Sequence, residues 1–346
     1  PIKTAKEGFK LTQPTKDYFI HSLEPMFMWH EQSKIALANV HEDLENGIVK
    51  LDKLADTLNH MSDEGFNDFY IGDISKSIVE TLKNEGGHAT QDDFNGYDLI
   101  EENKFEYHYK NLKLIGHSGP SIGGLMVLKY LNALSVEYQN IEEALKNVYL
   151  DRQNKYEFFG GRDELINNEI SKITTSSSTI QVNTSDKNNF HFSITFSSGY
   201  GSGVLCKNTG MYFNNSLGEI ELNPQGFLGN TNGDRLISNM SPLIIESNEG
   251  VSTIGSPGAD RISSAIAQVL TNYTNGNTWK DSIDMPRFHV NADGGVRAEP
   301  GYDNINENTT ITDSFDMYFG GVCVTGIYDK IFSYGDKRRG NTSWKC

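Results

Sequence analysis

Three short stretches of this chain hold residue types that can handle an acyl group. The segment GSPGADRI, Gly255 to Ile262, sets a glycine-rich turn between an apolar run and an amphipathic one. The first N–H groups of a helix that starts at such a turn have no backbone partner, and small side chains let a carboxylate or an oxyanion come close. The run Thr174 to Thr179 consists of hydroxyl residues only, each a candidate nucleophile if a base stands beside it; taken by itself it reads as a flexible loop. GHSGP, Gly116 to Pro120, carries a serine between glycines, but Pro120 stands where GxSxG needs glycine, so it reads as a loop leading into a helix. SSGYGSGV, Ser197 to Val204, lacks both the GxGxxG spacing and the later acidic residue of a dinucleotide site. Cys206, Cys323 and Cys346 make no disulfide framework, and with no CxxC or HExxH spacing neither a structural metal nor a cofactor is expected.

These stretches need a scaffold, and 346 residues with 37% hydrophobic content are enough to bury a substantial core. Lys and Arg number 30 against 46 Asp and Glu, a formal net charge of -16, which argues against a nucleic-acid partner. The basic cluster Lys337, Arg338 and Arg339 reads as solvated surface. No run of apolar residues is long enough to span a membrane, so the chain as given is expected to be soluble. It begins at Pro1 without a basic segment followed by an apolar one, and because a leader can be lost with whatever precedes Pro1, the compartment stays open.

The first half has helical periodicity. Leu51, Leu54, Ala55, Leu58 and Met61 line one face of a helix that should end at Gly65, and a second helix is expected from an Asp73 N-cap to the Gly86-Gly87 stop. Two more are expected over 121–134 and 141–150. From about Ile173 short alternating runs take over. Phe190, Phe192 and Ile194 alternate with His191, Ser193 and Thr195, which predicts a strand with one buried face after a turn at Asp186 to Asn189. Further strands are expected at 204–206, 211–213 and within 322–332, with a hairpin from Leu243–Glu246 and Val251–Ile254. Ile262, Ala265, Ile266, Val269 and Leu270 predict an amphipathic helix. Helices, then packed strands, then a helix and more strands fit an α+β layered domain.

Read in order, the pieces resemble one family. GGHATQDDFNGY, then a strand and GPSIGGLMV, then GYGSGV, MYFNNSLGEIELNP, RLISNMSP, IGSPGADRI, PRFHV and GDKRRG occur in the order and with the spacing of gamma-glutamyltranspeptidases. The resemblance runs from Ala5 to Gly340. It implies an Ntn-hydrolase fold, a four-layer αββα sandwich of mostly antiparallel sheets flanked by helices, with 1–176 as a helical large-subunit-like part and 177–346 as a β-rich small-subunit-like part of one domain. It also implies a precursor that cuts itself to free a hydroxyl nucleophile at a new amino terminus, and a small gamma-glutamyl compound of the glutathione type as substrate. The freed α-amino group, with a reference pKa of roughly 7.7–8.0, would serve as the base.

Counting back without gaps from GYGSGV, the family's nucleophilic threonine falls on Ser177; a shift of two or three residues would give Thr174 or Thr175. Where the family reads Thr-Thr-His, this chain reads Ser177-Ser178-Thr179. By resemblance Thr195 orients the nucleophile, Glu219 holds the substrate's α-ammonium, Ser238 and Asn239 bind its α-carboxylate, and the N–H groups of Gly258 and Ala259 form the oxyanion hole. Ser197 and Ser216 stand where many members carry a larger amide. The family's amino-terminal part, with a substrate-binding arginine and a central strand, has no counterpart here. The alternative expectation is therefore an uncleaved, inactive relative or a fragment, with self-association or a missing amino-terminal segment covering the exposed sheet. The resemblance leans to a periplasmic or extracellular location without excluding the cytoplasm.

Overall fold

The computed structural model describes residues 1–38, 40–99, 104–117, 121–135, 141–156, 179–219, 236, 238–291, 295–303, 305, 307–340 and 343. Two units can be separated: Pro1–Glu101 with Gly201–Asn214, and Glu102–Tyr200 with Asn215–Cys346.

The first unit is helical: α1 (Ile2–Glu7), α2 (Gln13–Ser22), α3 (Glu31–Ala36), α4 (Val40–Asn46), α5 (Asp52–Glu64), α6 (Asp68–Ile71), α7 (Asp73–Asn84) and α8 (Gln91–Asn95). As expected, α5 stops at Gly65, whose φ of 95° suits a residue without a Cβ. Asp73 is the first residue of α7 and not its N-cap, because the carboxylate of Asp68 already accepts from the N–H groups of Asp73 (3.1 Å) and Ile74 (3.2 Å). Ile74 and Ile78 of α7 pack with Cys206, so the segment 201–214 joins this helical layer. Instead of two strands, that segment makes a single antiparallel bridge, Leu205 to Tyr212.

The second unit is built on a six-stranded sheet in the order β1-β2-β5-β6-β10-β11, with every neighbouring pair antiparallel. Its strands are β1 (Lys104–Tyr109), β2 (Leu112–His117), β5 (Leu243–Ser247), β6 (Gly250–Gly255), β10 (Cys323–Ile327) and β11 (Ile331–Tyr334). The hairpin β3 (Thr179–Ser185) and β4 (His191–Ser197) forms a second sheet, and β7 (Phe288–Val290), β8 (Val296–Ala298) and β9 (Thr309–Ile311) a third. Among the described residues this unit has the helices α9 (Gly123–Ser135), α10 (Ile141–Tyr156), α11 (Arg261–Thr274) and α12 (Trp279–Asp284).

One face of the large sheet turns Leu112, Leu114, Leu243, Ile245, Ile254 and Val324 into a core shared with Met126, Val127 and Leu131 of α9 and Ile262, Ile266 and Leu270 of α11. At roughly 1.5–3 kcal/mol per buried aliphatic side chain, this core dominates the stability of the unit. The hairpin lies on the sheet's other face and meets it through polar groups. Asn183 Nδ2 donates to the Cys323 carbonyl (2.7 Å), Ser193 Oγ donates to the Ile254 carbonyl (3.3 Å), and Gln181 fills the space over Gly255 that a Cβ would take. The alternation expected for β4 is present, and its polar side is the one turned inward. The outward side carries Ile180, Val182, Phe192, Ile194 and Phe196, each between 38% and 50% exposed.

Helices, six-stranded sheet and hairpin are thus stacked as successive layers, and the α+β class with mostly antiparallel sheets is as the resemblance implies. One surface expectation is corrected. Arg338 is not solvated: it is buried, paired bidentately with Glu299 and bonded to Asp336 Oδ1 (3.1 Å). Arg287, also buried, donates to Asp336 Oδ2 (2.6 Å). Four charges held against one another satisfy what burial would otherwise leave costly.

Candidate active site

A pocket in the second unit gathers side chains from five separate stretches. Thr179 and Ser197, opposite each other at the open end of the hairpin, form one wall. Ser216 and Glu219 come from a 3-10 turn, Ser216–Gly218, that follows β4 in sequence. Ser238 and Asn239 come from the segment entering β5, and Ala259 from the turn between β6 and α11.

The Ser238–Asn239 segment is clamped. The N–H groups of Ile122 (2.9 Å) and Gly123 (3.2 Å) donate to the Ser238 carbonyl, and Ser121 Oγ donates to that of Met240 (2.7 Å). The approach is so close that a Cβ on Gly123 would sit 2.2 Å from the Asn239 carbonyl oxygen, which explains a glycine at the start of α9. Asn239 itself is buried, and among the described residues neither its Oδ1 nor its Nδ2 has a hydrogen-bond partner. An amide left so in a protein interior costs on the order of 1–3 kcal/mol, unless a ligand supplies the missing bonds. Glu219, 4% exposed, brings a carboxylate to the same pocket, packed against Gly199.

The turn before α11 has unusual backbone. Gly258 has φ 132° and Ala259 φ 53°, the latter a left-handed conformation that disfavours residues with a Cβ. Neither N–H has an acceptor among the described residues. Gly321 N–H donates to Ser256 Oγ (3.0 Å), and Gly258 lies so close to Gly320 that a Cβ would meet its Cα at 3.0 Å, so the turn is held from behind. Asp260 follows. Burial pushes its carboxyl up, but Arg261, His289 and Arg152 outweigh this and hold it below the ordinary carboxylate range. Ser264 Oγ, His289 Nδ1 (3.2 Å) and, from His289 Nε2, Asp260 (3.7 Å) have the types of a catalytic triad. Ser264 is buried within α11 and donates to the Arg261 carbonyl, so this set anchors the turn.

Of the residues singled out from the sequence, Glu219, Ser238, Asn239 and Ala259 line this one pocket, with Gly258 adjacent to Ala259. Thr195 does not line it: it pairs in register with Gln181, two positions along the hairpin, and donates to the Gln181 side chain. Ser177, Thr174 and Thr175 lie outside the described residues. Thr179, the last member of the hydroxyl run and not one of the three positions named from the family register, lines the pocket, and the alternation of β3 puts it on the same side as the inward Gln181 and Asn183. Among the described residues no group of three His, Cys, Asp or Glu side chains could hold a metal ion, and no helix is long and apolar enough to cross a membrane.

Comparison with known proteins gives a consistent assignment. The gamma-glutamyltranspeptidase family model matches residues 1–160 and 139–312. The glutathione hydrolase proenzyme of Escherichia coli (strain K12) is 24% identical, over 83% of this chain and 59% of the relative. That of Bacillus subtilis (strain 168) is 24% identical, over 87% and 61%. The chain therefore spans about three fifths of the length of these curated relatives. In fold it is similar to cephalosporin acylase from Bacillus halodurans, with a TM-score of 0.79 and 17% identity, covering 100% of this chain and 73% of the other.

Proposed function

Because the chain belongs to the gamma-glutamyltranspeptidase family, we propose that its pocket binds the γ-glutamyl group of a glutathione-like compound and transfers it to water or an amine. The observation that carries this reading is the buried Asn239 amide, which has no hydrogen-bond partner among the described residues, close to a buried carboxylate and to amides with no acceptor among those residues. A glutamyl group fits such a set chemically. Its α-ammonium pairs with Glu219, its α-carboxylate accepts from Asn239 Nδ2 and the Ser238 hydroxyl, and the carbonyl oxygen that turns anionic accepts from the Gly258 and Ala259 N–H groups.

The nucleophile in this reading is a hydroxyl of the Thr174 to Thr179 run, for which the gap-free register nominates Ser177. It becomes amino-terminal by self-cleavage, dividing the chain near 176/177 into a helical and a β-rich part. The hydroxyl oxygen attacks the γ-carbonyl carbon while its proton passes to the α-amine; the C–N bond breaks, the leaving amine takes the proton, and water or a second amine then releases the acyl group. The name proenzyme, carried by both relatives, supports the cleavage step. An uncut and catalytically silent relative is the second reading, favoured by Ser177-Ser178-Thr179 standing where the family reads Thr-Thr-His.

A chromogenic γ-glutamyl anilide tests the two. Turnover is expected, with KM raised about 10- to 100-fold in Asn239→Ala, the loss of a hydrogen bond to a charged group. Absence of turnover, together with no calorimetric binding of glutathione or glutamate, removes the γ-glutamyl reading.

A further inference from the structure

We infer that Ser256 is a positioning residue whose hydroxyl aims the Gly258 N–H at the carbonyl oxygen that turns anionic; this rests on the γ-glutamyl reading above. Ser256 directly follows β6, is fully buried and does not line the pocket, so it acts on the reaction only through the backbone it touches. That backbone is the turn carrying both N–H groups assigned to the oxyanion.

A backbone N–H is aimed by turning the whole peptide unit that contains it, because the amide is planar and its carbonyl oxygen lies opposite its hydrogen. Two donors therefore mean two planes to fix. The plane carrying the Ala259 N–H is set locally: its carbonyl, that of Gly258, accepts the Arg261 N–H at 2.9 Å as the first turn of α11 closes. The plane carrying the Gly258 N–H has the Pro257 carbonyl, which no backbone N–H reaches among the described residues. Gly258, with φ 132° and no Cβ, puts little steric resistance in the way of a rotation of that plane. Its direction needs a tether from elsewhere.

Ser256 supplies it. Gly321 N–H donates to Ser256 Oγ at 3.0 Å, and the hydroxyl donates onward to the Pro257 carbonyl at 2.7 Å. A backbone N–H can only donate and a carbonyl only accept, so the single hydroxyl hydrogen is committed to Pro257. Glycine at 320 leaves room for this relay, since a Cβ there would lie 2.8 Å from Ser256 Oγ and 3.0 Å from the Pro257 oxygen. With the Pro257 oxygen held against the buried hydroxyl, the Gly258 hydrogen points the opposite way. The donor is thus oriented before any substrate arrives, which is what makes an oxyanion site effective.

The test compares the full chain with Ser256→Ala by γ-glutamyl anilide kinetics and by crystal structures of both. In the variant the Pro257 carbonyl is expected to leave its place and kcat to fall about 10- to 100-fold, less than the roughly 10²–10³ that follows outright removal of an oxyanion donor. KM and the calorimetric Kd for glutamate should stay within about twofold, because the interaction is made in the transition state. Ser256→Cys, whose thiol is a weaker donor of similar size, should give an intermediate kcat, and it carries the comparison if the alanine variant does not fold. Ser252→Ala removes a hydroxyl from an equally buried serine of β6 and should leave both constants in place. A carbonyl that stays put or a kcat that holds in Ser256→Ala, or an equal fall in Ser252→Ala, overturns the assignment and leaves the γ-glutamyl reading standing. Absence of turnover in the unaltered chain, with no binding of glutamate, removes that reading and the role of the relay together.

Discussion

Ala259 keeps a backbone conformation, φ 53°, that costs a residue with a Cβ about 1–2 kcal/mol, and it does so at the wall of the pocket. Such a cost persists where the surroundings fix the turn, and here Gly320 and Gly321 brace it from behind. Ala259→Gly should therefore raise the stability of the fold by roughly 0.5–1 kcal/mol in denaturant unfolding, since glycine escapes the steric term but loses more freedom on folding. A fall in stability would show that strain is not the controlling term. At this scale the sequence was informative where the site depends on residue type. Glu219, Ser238, Asn239 and Ala259 were all nominated from motifs and all line one pocket. It was uninformative for the hydroxyl run, because counting along a chain cannot tell which member of Thr174 to Thr179 faces the pocket; that depends on strand register, which is a tertiary property.

Elements were read well where periodicity is long. Helices α5, α7, α9 and α11 and the hairpin β5–β6 follow the expected bounds closely. Strand alternation in β3 and β4 was visible too, but alternation does not say which side faces the core, and here the side rich in Ser, Thr, Asn and Gln packs inward through hydrogen bonds. Arg338 escaped for a similar reason, since a basic triplet looks solvated until its partners Glu299 and Asp336 arrive from distant elements. Asp336 links these elements. Burial pushes its carboxyl up, but Arg287 and Arg338 outweigh this and lower it below the ordinary value. A depressed folded-state pKa means that its stabilisation is complete above the unfolded value of about 3.9 and is lost as pH falls below that point. Unfolding free energy should accordingly decline below about pH 4, and Asp336→Asn should cost about 3–5 kcal/mol at neutral pH while flattening the acid limb. An unchanged acid limb in the variant would assign that loss to other carboxylates.

For the molecule as a whole, the six-stranded sheet with α9 and α11 makes a core complete on one face. On the other face the hairpin is the outermost layer described, and its outer side is a row of Ile180, Val182, Phe192, Ile194 and Phe196. Family membership and order of elements could be read from blocks of sequence, whereas this row could not, because only burial tells an outward Phe from an inward one. Its colloidal consequence is direct. Contiguous apolar area of this kind takes up hydrophobic dyes and lowers the salt concentration at which a protein comes out of solution. The chain by itself should enhance the fluorescence of 8-anilinonaphthalene-1-sulfonate while fully folded, and Phe192→Ser combined with Phe196→Ser should quench that emission and delay salting-out with little change in Tm. Handling the protein at low ionic strength, or grafting polar side chains onto this row before crystallisation, follows as practical advice from five aliphatic and aromatic groups that happen to look outward.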